Sequence, residues 1–395
     1  MTRRCQTGRP LTLTPPTTTD RPSWGLLARV CLIAIGIGYN FALIGPIARR
    51  LSDQFGVSLG MIGLLTTGVL ITHALSQLPA AVPAQKYGPL RLVRYAFVLV
   101  AIANLLGAIS PVFWLLAATR MIVGIGTGPV FVGGLDGSRR LGGAFLAGVF
   151  GGAATFGLGL ALVMGAAFDA FGWSWNLTFI VAAAFALAAA VFGPKDKDEP
   201  RSQTGNVVDH LGAVLRSGPL WRLALIHSAT FGASLVVGAW IVIYFREGAI
   251  TGFLAGAIGF SLLAMTAIFR PIGGALFARG VSWRVIGPTA VLTCGLGLGV
   301  LSIGLPSWLA LVVSLVIGIS FALPFSAVFV LTVKAEPRYP AAGIAFVNMT
   351  GGVFALIITP IAGILLDHGV GWIAFTGMGV IAVIAAWVAR DPVPD

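Results

Sequence analysis

Two arginines, Arg120 and Arg270, lie deep inside long apolar runs of this chain rather than near their ends, and every carboxylate lies outside the runs. A charge near a bilayer centre costs about 2.5–3.5 kcal/mol on insertion scales, so an arginine kept there without an acidic partner marks a functional site. The partner these two lack is an anion. Tyr39, Asn40, His73, Gln77, Asn104, His227 and Asn348 are the other polar side chains that matter inside the runs. Amides and neutral imidazoles in a membrane commonly bond neighbouring helices, so each of them has an interhelical reading beside a ligand reading. Asn40 and Gln77 stand nearest to the ligand reading. Arg270 also has a plainer partner available, because Pro271 frees a backbone carbonyl one turn earlier. Arg120 has the same kind of alternative, holding helices together through main-chain carbonyls.

The elements that must position these residues follow from composition. With 57% hydrophobic residues, 10% charged and 53 glycines in 395 residues, the chain has too little polar surface to coat a soluble globule of its size. A membrane-crossing helix needs about 20 mostly apolar residues. The sequence divides into twelve such runs, near 24 to 48, 58 to 80, 92 to 110, 112 to 134, 141 to 168, 174 to 193, 219 to 243, 254 to 278, 285 to 305, 308 to 332, 341 to 366 and 371 to 389. Lys and Arg are retained on the cytoplasmic side of membranes. With the N-terminus inside, Arg49, Arg50 and Arg246 fall outside and Arg120 and Arg270 fall within runs, which leaves 20 of the 25 basic residues inside. Both termini are therefore expected in the cytoplasm, in a multi-pass protein of the inner or plasma membrane. The net charge of +12 reads as topology and attraction to anionic lipid, and nucleic-acid binding is not needed to explain it.

Residues 1 to 22 are polar, with Thr and Pro clustered at Thr14 to Thr19, and are expected to form a disordered cytoplasmic tail. A polar stretch at 194 to 218, rich in charge at Lys195 to Arg201, separates six runs from six. The expected domains are thus a bundle over 23 to 193, a cytoplasmic linker over 194 to 218, a second bundle over 219 to 389 and a short tail over 390 to 395. A shift of 193 residues lays Lys86 on Arg279, Arg91 on Arg284 and Gln77 on Arg270, which points to two parallel halves around a central pathway with a site near the membrane midplane. Cys5, Cys31 and Cys294 have no ligand spacing, so no metal and no disulfide framework is expected. There is no HExxH, no paired carboxylate and no Cys or His cluster within a run, and no glycine-rich run ends in Lys followed by Ser or Thr. An enzyme, a cofactor and an ATP-driven pump are all disfavoured. Gly124 with Gly128, and Gly148 with Gly152, have the four-residue spacing that lets transmembrane backbones approach closely.

The stretch Ala81 to Arg91, carrying Gln85, Lys86, Gly88 and Arg91, resembles the loop after the second span in the major facilitator superfamily, with Ala81 and Gln85 in place of its glycine and acid. Gly274 to Arg284, carrying Arg279 and Arg284, is similar to the equivalent loop after the eighth span. Arg120 with Gly124, Gly126 and Gly128 matches the superfamily's fourth-span pattern. The resemblance covers the chain outside the tail. It implies an all-α membrane protein of twelve transmembrane helices in two pseudo-symmetric six-helix bundles, working as a monomer, with these loop residues as a cytoplasmic gating motif. Arg270 to Leu276 is similar to the eighth-span segment of the nitrate/nitrite porters, where an arginine binds the anion, while Gln77 stands where their second-span arginine would fall. A small, anionic substrate is therefore expected, with Arg270, Arg120, Tyr39, Asn40, His73, Gln77 and Asn348 as its binding residues. Carrying an anion into a negative cell costs about 2.3 kcal/mol per 100 mV, so a cation must travel with it or another anion must leave. Anion exchange needs no proton carrier and fits the inventory; His73 and His227 are the local candidates for proton coupling. The alternative from the same fold is a proton-coupled exporter of drugs or neutral metabolites, in which the arginines are structural.

Overall fold

In a bilayer core every backbone polar group must be satisfied within the chain, which leaves helices as the way for these runs to cross. The computed structural model describes residues 22–195, 207–247, 250 and 252–393. Its elements are α1 (Trp24–Ala42), a 3-10 turn (Gly45–Ile47), α2 (Ala48–Phe55), α3 (Leu59–Tyr87), α4 (Pro89–Ala108), α5 (Phe113–Ala170), α6 (Asn176–Phe192), α7 (Val207–Arg216), α8 (Gly218–His227), a π turn (Ser228–Gly232), α9 (Ala233–Glu247), α10 (Gly252–Ala278), α11 (Trp283–Leu301), α12 (Ser307–Ala322), α13 (Phe325–Ala335), α14 (Pro340–Asp367) and α15 (Trp372–Val388). Each of the twelve expected runs falls on helix. Nine helical segments among the described residues are long and apolar enough to cross a membrane. Large apolar side chains cover the outside, among them Ile109 at 75% exposure, Leu75 at 67% and Trp387 at 71%, a surface that only lipid can solvate. The protein is a multi-pass membrane protein.

Local chemistry sets the breaks. Ser23 and Ser58 cap α1 and α3, each hydroxyl accepting from the amide three residues on at 3.3 Å, which satisfies a donor that a helix start leaves open. Gly88 (φ 95°) and Gly280 (φ 87°) turn the chain between α3 and α4 and between α10 and α11, a conformation that disfavours any side chain. The fourth and fifth runs are joined differently from the expected loop at 135 to 140. Helix persists through Arg140, and the chain leaves helical geometry only at Gly142 and Gly143. Persistence is explained by Asp136, whose fully buried carboxylate pairs with Arg139 at 2.8 Å and Arg140 at 2.7 Å one turn on. Part of the linker is likewise helical: α7 packs on α3 and α14. Residues 196–206 of the linker, and the expected tail apart from Pro22, lie outside the described residues.

The two bundles meet along two seams related by the internal repeat. The second half of α5 packs on α10, and α3 packs on α14. In the first seam small residues decide the separation. A Cβ at Gly148 would overlap the Arg270 carbonyl oxygen, one at Gly152 the Ala267 carbonyl that Pro271 frees, and one at Gly274 the Ala144 carbonyl. In the second seam the contacts are polar: Asn348 Nδ2 donates to Gln77 Oε1 at 2.9 Å, and Gln85 Nε2 donates to the Arg338 carbonyl at 3.2 Å.

Candidate functional site

Three interruptions of helical regularity surround Arg270. Pro271 follows it on α10, the π turn separates α8 from α9, and α12 gives way to α13 at Leu323 and Pro324. Broken helices at mid-membrane are where carriers build their sites, because irregular backbone is tolerated only where it lines a cavity or is buried in protein. The Arg270 side chain is 3% exposed. Its Nη1 donates to the Gly151 carbonyl at 2.9 Å and to Thr155 Oγ1 at 2.7 Å, both on α5 across the bundle seam. The guanidinium faces two phenyl rings, Phe325 at 4.4 Å and Phe231 at 5.6 Å, which attract a cation through their electron-rich faces. Its Nε has no hydrogen-bond partner. The carbonyl freed by Pro271 is not its partner; that one is taken up in the close approach of Gly152.

The polar groups around it are unevenly satisfied. His227 stacks on Phe231 with ring centroids 4.8 Å apart and planes 19° apart, and neither ring nitrogen is in a well-formed hydrogen bond. Asn348 bonds Gln77 through its amide nitrogen, while its Oδ1 has no partner. His73 differs: its Nδ1 stands 3.1 Å from Thr127 Oγ1, and its ring meets Phe41 and Phe131 edge-on. Phe131 reaches across to Phe329, which meets His227 at 4.9 Å. Arg270 and Asn348 lie eight residues and Gln77 ten residues from the near ends of their helices, and His227 closes α8 nine residues after its start at Gly218, about 12–15 Å at 1.5 Å per residue. That places them together near the middle of a hydrocarbon core roughly 30 Å thick.

Arg120 belongs to a different neighbourhood. Its Nη2 donates to the Asn40 carbonyl at 2.5 Å and its Nη1 to Asn104 Oδ1 at 3.4 Å, and its guanidinium lies 5.9 Å from the Phe179 ring. Asn104 donates in turn to Asn40 Oδ1 at 2.9 Å, and Asn40 to the Gly36 carbonyl at 2.8 Å. These partners come from α1, α4 and α6, all within the N-terminal bundle, and Arg120 and Arg270 have no partner in common. The two arginines thus stand in separate neighbourhoods. Arg120 and Asn40 tie helices of one bundle. Tyr39 is buried with its hydroxyl unpartnered, its ring 5.4 Å from Phe185.

Of the expected gating residues, buried Gln85 bonds across the bundles as given above, Gly88 makes the turn and Gly274 makes the close approach. Lys86, Arg91, Arg279 and Arg284 are exposed. Thr155, Phe231 and Phe325 were not anticipated. A hydroxyl in a glycine-rich span and two phenylalanines in apolar runs look the same in sequence whether they pack or bind.

A buried polar cluster on the seam between two helical bundles is the arrangement in which membrane carriers build their sites. The sequence matches the Major Facilitator Superfamily over residues 30–353, and the chain belongs to that family. Members of that family are transporters, not enzymes. The chain is 26% identical over 261 residues to the "Nitrite extrusion protein" of Bacillus subtilis (strain 168), an alignment spanning 62% of this chain and 63% of that protein, under two thirds of either. Among solved structures it is similar to the E. coli fucose:proton symporter FucP, with TM-score 0.74, 15% identity, and 93% of this chain and 98% of that chain covered. It is also similar to the proton:xylose symporter XylE bound to 6-bromo-6-deoxy-D-glucose, with TM-score 0.72, 17% identity, and 92% and 94% covered. At these identities the likeness to solved structures concerns the fold.

Proposed function

We propose that the protein is a secondary active transporter of a small anion, bound at Arg270 and moved by alternating access of the two bundles. The observation that carries this reading is a buried guanidinium on the seam between the bundles, reaching Gly151 and Thr155 across it, with no carboxylate in salt-bridge range among the described residues; Arg120, equally buried and likewise with an unpartnered Nε, bonds only within one bundle. Uncompensated buried charge is costly, and a substrate anion is the counter-charge the site lacks. The name of the Bacillus subtilis relative, which specifies an anion, is consistent with it.

Arg120, Tyr39, Asn40 and His73 have roles inside the N-terminal bundle in this reading, and Gln77 and Asn348 complete the site with Arg270. We place both termini, the linker and the tails in the cytoplasm, as the distribution of Lys and Arg requires. The seam contacts at Gln77, Gln85, Gly148 and Gly274 then lie in the cytoplasmic halves of their helices, so this conformation is sealed toward the cytoplasm. Proton-coupled export of a neutral solute is the competing reading, with Arg270 serving only to join α5 to α10.

Counterflow in proteoliposomes separates them. Vesicles preloaded with nitrite and carrying the parent protein should accumulate isotopically labelled nitrite, and Arg270→Ala should abolish that accumulation. Parent protein that moves no anion, together with proton-driven flux of a neutral compound surviving Arg270→Ala, would establish the exporter instead.

A further inference from the structure

Two buried imidazoles sit at the centre of the protein, and they are not equivalent. His73 has a hydroxyl partner in Thr127 at 3.1 Å. His227 is fully buried with neither nitrogen in a well-formed hydrogen bond, the Asn348 side chain being its nearest polar neighbour, although buried polar groups are as a rule hydrogen-bonded. It shares its walls with Arg270: Phe231 and Phe325 lie 4.8 and 5.9 Å from the imidazole and 5.6 and 4.4 Å from the guanidinium. Room for the ring is made by Gly351, where a Cβ would stand 3.0 Å from the imidazole Cδ2. One turn earlier on the same helix, Asn348 presents an Oδ1 that also has no partner. The groups packed on His227 are Phe231 of the π turn, Phe325 and Phe329 of α13, Arg270 of α10 and Asn348 with Gly351 of α14. Cys294 of α11 faces the π turn, its sulfur directed to the Ala229 carbonyl at 3.7 Å. Arg270 is the one charged residue in this set.

Resting on the anion reading above, we propose that His227 is the proton site of the carrier, loaded together with the anion at Arg270, so that the protein performs electroneutral proton–anion symport. The charges balance. An empty site holds the Arg270 cation and a neutral imidazole, a net charge of one. A loaded site holds the Arg270 cation, a monoanion and an imidazolium, again a net charge of one. The only bond made or broken is an N–H on the imidazole. Its proton arrives from water on the open side and leaves to water on the other once the bundles have rocked. Because the moving site carries the same charge loaded and empty, the membrane potential does no work on either limb of the cycle. Linkage makes the coupling reciprocal: the factor by which the anion strengthens proton binding is the factor by which the proton strengthens anion binding. The anion supplies the counter-charge and acceptor that an imidazolium needs beside Arg270.

The test uses purified full-length protein in proteoliposomes with a pH-sensitive dye trapped inside and nitrate as the probe, since nitric acid is too strong an acid to ferry protons by itself. An inward nitrate gradient should acidify the lumen with about one proton per anion, at a rate that a potassium–valinomycin clamp of the potential does not change. Whatever nitrate flux remains in His227→Gln should carry no protons and should become sensitive to the clamp, a change that a merely structural role for the ring would not produce. Unchanged proton-to-anion stoichiometry in His227→Gln overturns the proposal. So does parent protein that takes up nitrate net, down its gradient, without acidifying the lumen, and this parent measurement stands even where the variant does not fold. Absence of nitrate and nitrite counterflow in the parent is the separate result that removes the anion reading itself.

Discussion

Replacing Gln77 by leucine removes the hydrogen bond that joins α3 to α14 in the middle of the membrane. In the parent, the Asn348 amide has one bonded end, its Nδ2 on Gln77 at 2.9 Å, and one free end. In Gln77→Leu neither end is bonded while the bundles are closed. Leaving a buried polar group unsatisfied costs about 1–3 kcal/mol. In a state where the seam has parted, water reaches the amide and the cost vanishes. The population of that parted state should rise roughly 5- to 150-fold, at about 1.4 kcal/mol per tenfold. Spin labels at Tyr87→Cys and Lys334→Cys, both exposed positions at the linker end of the bundles, in a background without the native cysteines, would read the separation by double electron–electron resonance. A longer-distance population should grow in Gln77→Leu. It should shrink again in Gln77→Leu/Asn348→Leu, because replacing both partners by apolar groups leaves nothing unsatisfied. Superimposable distance distributions for parent and single variant would refute the reasoning, as would a double variant that opens further than either single one.

Gly148→Val drives a side chain into the Arg270 carbonyl, and overpacking of this kind costs about 1–3 kcal/mol; the same label pair should show the seam held apart, and an unchanged distance would contradict the close approach. Arg120→Met should lower the thermal midpoint, since Asn104 Oδ1 and the Asn40 carbonyl lose their donor, while anion affinity changes little. An Arg120→Met protein of parental Tm that no longer binds anion would return Arg120 to the site. On α7, the His210 ring lies 4.3 Å from Tyr339, and burial holds its imidazole below the usual histidine range, with Asp209 and Glu336 pulling the other way. The docked helix therefore favours the neutral ring. Docking is full above about pH 6.5, the ordinary histidine value, and weakens as pH falls through it, because the released helix takes up the proton. Hydrogen exchange over 207 to 216, corrected for intrinsic rates, should speed up on acidification in the parent and not in His210→Phe; equal acceleration in both would remove His210 as the cause.

The sequence was most informative where the physical signal was strong. Twelve apolar runs fall on helix because a lipid solvent leaves the backbone no other choice. Arg270, alone among apolar residues before a proline, could be singled out from its charge. What could not be read was its company. Thr155, Phe231 and Phe325 come from three other segments, and their meeting at Arg270 depends on how α5, α10, α13 and the π turn cross. Arg120 looked equally exceptional, yet its guanidinium is bonded by one backbone carbonyl and one side-chain amide from neighbouring helices of the same bundle, a solution that leaves no trace in residue type. The break between the fourth and fifth runs was misplaced for a similar reason. Three charged residues at Asp136, Arg139 and Arg140 look like loop, but their ion pairs at one-turn spacing let the helix continue until Gly142 and Gly143 end it. The helix α7 was legible in principle, since Val207, Leu211, Val214 and Leu215 recur at helical spacing, but it is only ten residues long inside a charged polar linker.

The central claim is that Arg270 is the counter-charge of a transported anion. Its most direct test is thermal unfolding of the purified protein against a panel of small inorganic and organic anions, with Arg270→Ala measured in parallel. A ligand present at 100 times its Kd stabilises by about 2.7 kcal/mol, so even millimolar binding is visible. Losing one charge-assisted hydrogen bond weakens binding by about 1.5–3 kcal/mol, roughly 10- to 150-fold. At least one anion should raise the parent Tm selectively, with most of that rise gone in Arg270→Ala. Equal shifts in both proteins, or no selective shift in the parent, would contradict the account.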